Sequence, residues 1–192
     1  MASSADIETT LMMTVNDIVH PAAGPLLPNN ITIMRGWPTE ADVRKAVGNN
    51  AHMIGVYAVA GMSRDITKTM RAWQDLGGGV SAMEVGRIEQ VFRLQIWAAS
   101  RIARDTLLGA LLPPLKFQLR YPLPDGTVAT LMKLESSGPN DQPARADEWA
   151  QNIDLMFQYP LIYTQTQPTV TQITQTTTID TGLTITTQTP PS

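Results

Sequence analysis

The last 33 residues, from Pro160 to Ser192, contain 13 Thr, 5 Gln and one charged residue, Asp180. A segment of this kind cannot build a core. Thr and Gln bury little apolar surface, and fixing each residue costs about 1–2 kcal/mol of backbone entropy. Its side chains favour extended backbone, with many donors and acceptors on offer. The other charged residues and nearly all the aromatics precede it. The chain therefore reads as a folded body over 1–163 and a Thr/Gln-rich arm over 164–192. The arm is expected to gain order by adding to a neighbour's sheet. Fully extended at about 3.3 Å per residue, it reaches roughly 100 Å.

The body has enough apolar residues for one core, since 43% of the 192 residues are hydrophobic. Charged residues are only 16%, against roughly 25% in ordinary soluble domains. Much of the surface is then neutral or covered by partners. A net charge of −3 argues against gripping nucleic acid by general electrostatics. Cysteine is absent, which removes disulfide scaffolds, thiolate zinc sites and cysteine nucleophiles together. The start of the chain has no basic region followed by an apolar run, so no secretory signal is expected. The longest mostly apolar stretch, Leu107 to Leu115, contains Pro113 and Pro114 and is far too short for a membrane span.

Periodicity gives the body's elements. Ile7, Leu11, Val15 and Ile18, with Met12 and Val19, form a helical stripe behind Ser3 and Ser4 as caps, and Pro21 ends it. Residues 22–30 read as an extended loop. Ile31 to Arg35 reads as a short strand. Thr39 and Asp42 form a cap-like pair opening a helix to Gly48. In Met53 to Ala60, Ile54, Val56 and Ala58 share one face and Met53, Tyr57 and Val59 the other, as in a strand covered on both sides. Ser63 to Leu76 fits either a helix stripe or an exposed strand, and the three glycines from Gly77 break it. Ile88 to Ile96 alternates as a half-buried strand. Ser100 caps a helix through Leu111 that should stop at Pro113. Phe117, Leu119 and Tyr121 alternate into the turn Pro124-Asp125-Gly126, and Val128 to Leu134 returns as the hairpin partner. Glu135 to Asp147 reads as loop, and Ile153 to Tyr159 as the last strand of the body. In the arm, 169–174 and 178–187 are β-prone, with a turn at Asp180-Thr-Gly182. The fold class expected is α+β: a mixed or antiparallel sheet flanked by helices, with the extended arm.

No catalytic constellation stands out, and no enzyme activity, cofactor or metal is expected. His20 suits a helix C-terminus and His52 precedes a strand. Neither has a ligand-like partner at metal spacing. The Gly77 triplet lacks the Lys-Ser/Thr of a phosphate loop. Asp65 and the pair Asp147-Glu148 read as solvated surface charge. Arg64, Lys68 and Arg71 could line one helix face, again as solvated charge. Trp37, Trp73, Trp97 and Trp149 read as singly placed core or interface residues. Arg101 and Asp105, four apart, read most plainly as an intrahelical pair. The alternative is a subunit contact made by Arg101, Arg104 and Asp105. The arm's apolar residues Val170, Ile173, Ile179, Leu183 and Ile185 are the other candidates for a subunit interface.

The order of features over Asp6 to Tyr163 resembles a family. An amphipathic helix leads into Thr32-Ile-Met-Arg-Gly-Trp-Pro38, a short acidic-capped helix and the strand Gly55-Val-Tyr-Ala-Val. Phe92-Arg-Leu-Gln-Ile-Trp97, a helix with Arg101-Ile-Ala-Arg-Asp105, the turn Leu123-Pro-Asp-Gly126 and a closing Tyr-rich strand follow. This is similar to the neck and tail-terminator proteins of tailed bacteriophages. The resemblance implies an α+β subunit of a homohexameric ring in the virion, made in the host cytoplasm. Such rings cap the tail tube and join it to the head connector, and genome DNA passes through the pore without specific binding. Partners would be tail-tube, sheath or connector proteins, with no membrane. The Thr-rich arm departs from the smaller family members. The alternative is another phage module (collar, sheath-associated, baseplate or decoration protein) attached through that arm. An enzyme acting on cell wall or carbohydrate is a third class, and would need an acidic pair in a cleft.

Overall fold

Two long strands set the frame. In the computed structural model, which describes residues 4–21, 30–67, 74–75, 80–137, 149–166, 173–178 and 184–189, the strands Val80–Ala98 and Trp149–Thr166 pair antiparallel along almost their whole lengths. In chain order the elements are α1 (Ser4–Val19), β1 (Ile31–Arg35), α2 (Glu40–Gly48), β2 (His52–Thr67), β3 (Gln74–Asp75), β4 (Val80–Ala98), α3 (Arg101–Phe117), β5 (Arg120–Pro122), β6 (Val128–Ser136), β7 (Trp149–Thr166), β8 (Ile173–Thr178) and β9 (Thr184–Thr189). The fold is α+β. Its main sheet runs β1-β2-β4-β7-β6-β5, with β3 paired to β4. β1 lies parallel to β2, and the other pairs are antiparallel.

Side-chain alternation divides the sheet into two faces. Ile54 and Val56 of β2, Phe92, Leu94 and Ile96 of β4, and Ile153, Leu155 and Phe157 of β7 share one face and pack under α1 and α3. The helices supply Ile7, Leu11 and Val15 from α1 and Leu107, Leu111 and Leu115 from α3, each fully buried at helical spacing. On the opposite face α2 covers one end, where Val43 and Val47 meet Met53, Trp97 and Ala150. The Thr39–Asp42 capping box starts α2 as expected: the Thr39 hydroxyl accepts the Asp42 N–H, and the Asp42 carboxylate accepts the Thr39 N–H.

The helix starting at Arg101 does not stop at Pro113. It runs through Pro113 and Pro114 to Phe117. Each proline removes a hydrogen bond, here to the carbonyls of Gly109 and Ala110. Gly109, Pro113 and Pro114 are exposed, so water reaches that side of the helix. On the other side Leu115 extends the Leu107–Leu111 stripe and is fully buried. Core burial on one face outweighs the loss on the other. As a result Phe117 ends a helix and Leu119 is loop. Both are exposed, and only Tyr121 of that alternating set enters the core. Ser63 to Thr67 is strand, the second of the two readings, and 68–73 lie outside the described residues. Arg64 therefore sits on a strand and not on a helix face, and Lys68 and Arg71 are not described. Glu135 and Ser136 belong to β6 and not to a loop. β4 begins at Val80, well before Ile88. β7 runs on to Thr166, beyond the boundary expected at 163.

The arm contributes β8 and β9, an antiparallel pair in register from Ile173 opposite Thr189 to Thr178 opposite Thr184. Their connection, which includes the expected Asp180 turn, lies outside the described residues. Among the described residues this two-stranded sheet has no hydrogen-bonded strand in common with the main sheet.

Tyr121 is fully buried and stacks edge-on against Phe157 with ring centroids 4.9 Å apart. Its hydroxyl has no hydrogen-bond partner among the described residues. Burial pushes the phenol up to about 12. A hydroxyl buried in this way costs about 1–3 kcal/mol of desolvation. Tyr121→Phe is therefore expected to leave stability unchanged or raise it by about 1 kcal/mol in urea denaturation. A loss of more than about 1 kcal/mol would mean that the hydroxyl has a partner.

Candidate functional site

The face of the sheet away from α1 and α3 carries its polar chemistry in cross-strand rows. Tyr57 of β2 stands opposite Arg93 of β4, Arg93 opposite Asp154 of β7, and Asp154 opposite Glu135 of β6. The Arg93 guanidinium grips the Asp154 carboxylate with two hydrogen bonds, Nε to Oδ1 at 2.6 Å and a terminal nitrogen to Oδ2 at 2.8 Å. This fork geometry is the strong form of a charge pair. The hydrogen bond to Asp154 holds the Arg93 proton more tightly than usual. The Tyr57 hydroxyl donates to Gln95 Oε1 at 2.9 Å. Burial raises the Tyr57 phenol, and the nearby Arg93 opposes that rise.

The same face continues the pattern along the strands. Arg64 donates to Glu89, with nitrogens 2.9 and 3.0 Å from Oε2. Arg87 Nε lies 2.8 Å from Glu84. Lys133 pairs with Glu135. Charge on this face is thus largely neutralised in place.

Trp37 joins this face by a route that sequence spacing hides. Gly36, at φ +88°, donates its N–H to the Val56 carbonyl at 2.8 Å and turns the chain back over β2. A residue with a Cβ is strained there. The turn sets the Trp37 ring 5.1 Å from Tyr57 and 6.3 Å from Trp97, centroid to centroid. Gly55 makes the space: a Cβ there would meet the Trp97 ring at 3.1 Å and the Gly36 carbonyl at 3.2 Å. Trp37 and Trp97 are therefore one cluster and not single fillers. Trp97 is buried, while Trp37 is 64% exposed. Beside them β2 bulges, with Val59 to Met62 opposite Val91 alone, and Gly61 at φ +74° makes the bend. The bulge opens a groove of about 380 Å³ lined by Met62, Arg64, Glu89, Val91 and Met156.

The sheet edges differ in how they are closed. Where β1 ends, Glu8 of α1 takes over: Oε1 accepts the Ala58 N–H at 2.8 Å, and Oε2 accepts from Arg35 at 2.6 Å. Further along β2, Arg64 and Asp65 are exposed. β5 carries Arg120 and Pro122, and the end of β6 beyond β5 carries Lys133 and Glu135. From Pro160 to Thr166, β7 pairs with β4 on one side, and no strand is hydrogen-bonded to its other side among the described residues. This stretch has no charged residue.

The residues read from sequence as interface candidates fall in two places. Arg101 and Asp105 are exposed on the first turns of α3 and form the intrahelical pair, 3.7 Å apart. Arg104 is buried. It donates to Asp105 at 2.9 and 3.0 Å and lies 5.7 Å above the Trp149 ring. Its charge is thus tied into its own chain. Ile173 and Ile185 lie on β8 and β9, and Val170, Ile179 and Leu183 lie outside the described residues. So do Trp73, Asp147 and Glu148. The open-face network and Glu8 were missed. Glu8 reads from sequence as a first-turn anion, and only the fold brings it to β2.

Among the described residues no group of three or more His, Asp or Glu is placed to hold a metal ion, and no helix is long and apolar enough to cross a membrane. No family model matches the chain, and no curated protein matches it.

His52 begins β2 and is buried. Its Nδ1 accepts the Ala99 N–H at 3.2 Å, so that nitrogen must be unprotonated. Burial lowers its pKa. The folded value lies below the unfolded value of about 6.5. The unfolded chain therefore binds more protons just below that pH, and stability falls as pH drops from about 6.5 toward the lowered folded value. Above about 6.5 this contribution is fully present. Melting curves between about pH 7.5 and 5.5 should show the decline, and His52→Gln should flatten it. An unchanged slope in the variant would assign the effect to other groups.

Asp154→Ala would leave the half-buried Arg93 without its carboxylate. A loss of about 2–3 kcal/mol is expected in denaturant titration, and Arg93→Ala with Asp154→Ala should cost less than the two single losses added together. Strict additivity would mean that the pair contributes nothing by its contact.

Proposed function

We propose that this protein is a non-enzymatic structural subunit of a tailed-phage virion, a tail-terminator or neck ring that caps the tail tube and joins it to the head connector. One observation carries the assembly part of this reading. Among the described residues the arm's strands β8 and β9 pair with each other and with no strand of the main sheet. An isolated two-stranded sheet is marginal in water and calls for a third strand or a packed face. The order of features along Asp6 to Tyr163 supports the phage part. The paired charges of the open face, Arg93–Asp154, Arg64–Glu89, Arg87–Glu84 and Lys133–Glu135, favour a surface past which DNA slides. Cations already matched to carboxylates release fewer counterions on meeting phosphate.

A second reading uses the same observation. A collar, sheath-associated, baseplate or decoration protein would attach through the arm to a different host surface, and its own copy number would be small.

Sizing by light scattering separates the two. A closed assembly near six times 21.0 kDa, visible as a ring in electron images, is the expected result. A monomer or trimer would favour the second reading. Deleting 168–192 should leave circular dichroism of the body unchanged and reduce the assembled fraction. A body that unfolds on truncation would place the arm within the core and overturn the division.

A further inference from the structure

His52 is held in one tautomer and offers a proton to a pocket. It begins β2 beside the start of β1, and its backbone N–H donates to the Asn30 carbonyl at 2.7 Å. Its side chain reaches the junction of β4 with α3, where Nδ1 accepts the Ala99 N–H at 3.2 Å. The residue is only 4% exposed. It nevertheless lines a pocket of about 350 Å³ whose walls come from the first turns of α3 and the starts of β1 and β2. Among the described residues nothing hydrogen-bonds to Nε2.

The bond to Ala99 decides what Nε2 can do. A neutral imidazole carries one proton, and Nδ1 cannot hold it while accepting an N–H. The proton therefore sits on Nε2, as a donor with no protein acceptor among the described residues. A metal ion at Nε2 would require that proton to move to Nδ1, with loss of the Ala99 bond. A negatively charged acceptor requires no change.

The other walls favour the same kind of guest. Ser100 caps α3, and Ser100, Ala103 and Thr106 form one wall. The N–H groups of Arg101 and Ile102 are among the four that open a helix without an intrahelical carbonyl. The helix dipole adds partial positive charge at that end. Asn30 and Asn50 bring side-chain amides from two further segments. None of the lining residues is Asp or Glu. Asp105, close by in sequence, is held by Arg101 and Arg104. Donors thus come from the residue before β1, the α2–β2 connection, the start of β2 and the cap of α3. A group with oxygens pointing in several directions satisfies such a set better than a planar one with two.

We propose that this pocket binds a phosphate-type oxyanion, free or as the phosphate of a small phosphomonoester, with the His52 Nε2–H as one of its donors. The site is independent of the assembly reading and stands or falls without it.

The chain has 2 histidines, so their ring nitrogens can be followed by NMR with nitrogen-15-labelled histidine, His20→Gln assigning the pair. Titrations at about pH 7.5, where His52 is neutral, keep ionic strength constant with sodium chloride. Inorganic phosphate and glycerol phosphate are the probes, and acetate is the planar control. The expected result is a saturable shift of the His52 Nε2 resonance, with His20 following only the chloride control. Saturation by phosphate alone identifies the free ion as ligand, and a response about tenfold tighter with glycerol phosphate identifies the monoester. Either supports the site. Thr106 is exposed and its hydroxyl donates to its own helix at Ile102. Thr106→Glu sets a carboxylate in the pocket wall and should weaken binding by about tenfold or more. If that variant does not fold by circular dichroism, Asn50→Asp, in an exposed turn, takes its place with the same expected loss. A shift that does not saturate, that chloride reproduces, or that the folded carboxylate variant leaves unchanged overturns the proposal. So does acetate binding as tightly as phosphate.

Discussion

The register between β4 and β7 is the constraint on which the other contacts depend. Because side chains alternate with period two, a slip of one residue would turn Phe92, Leu94 and Ile96 away from α1 and α3 and put Arg93 and Gln95 under them. Burying those polar groups without partners costs several kcal/mol each by general estimates. The alignment holds from Val80 opposite Thr166 to Ala98 opposite Trp149, with one shift near Gly86. It fixes three things at once: the dry face that receives the helices, the bidentate pair of Arg93 with Asp154, and the overhang of β7 beyond β6. Phe92 and Phe157, 5.8 Å apart edge-on, add a specific cross-strand lock near its middle.

Much of this was legible in the chain, and the exceptions have physical causes. Helix and strand periods announced α1, the Thr39–Asp42 box announced α2, and alternation in Ile88 to Ile96 separated the two faces of β4 correctly. Pro113 and Pro114 misled because local propensity reads a stop signal, while Leu115 gains more from the core than the helix loses on its wet side. The first part of β4, from Val80 to Arg87, has no regular apolar alternation: its buried residues are Ser81, Ala82 and Gly86, and none of them belongs to either core cluster of the described residues. The Trp37–Tyr57–Trp97 cluster depends on a reversal at Gly36 and on the missing side chain at Gly55. Neither leaves a periodic trace. Arg93 and Asp154 are 61 residues apart, and only strand order makes them neighbours. The arm's Thr-rich composition, by contrast, announced extended chain, and β8 and β9 are strands.

The two faces of the sheet do different work. The helix-covered face is mostly apolar, with Gln90 and Gln151 among its residues, and it carries most of the buried core. The open face is matched charge and amide, with one aromatic cluster at the α2 end. Matched charge of this kind contributes modestly to stability when partly exposed, and its main effect is on what the surface repels. A neighbour approaching that face meets few unsatisfied cations or anions.

The span between Thr166 and Ile173 also limits geometry. Seven steps of extended chain cover about 25 Å. A strand of the arm that pairs outside its own subunit must therefore do so within roughly that distance of the end of its own β7, which confines any such exchange to copies lying nearly flank to flank, like staves in a cask.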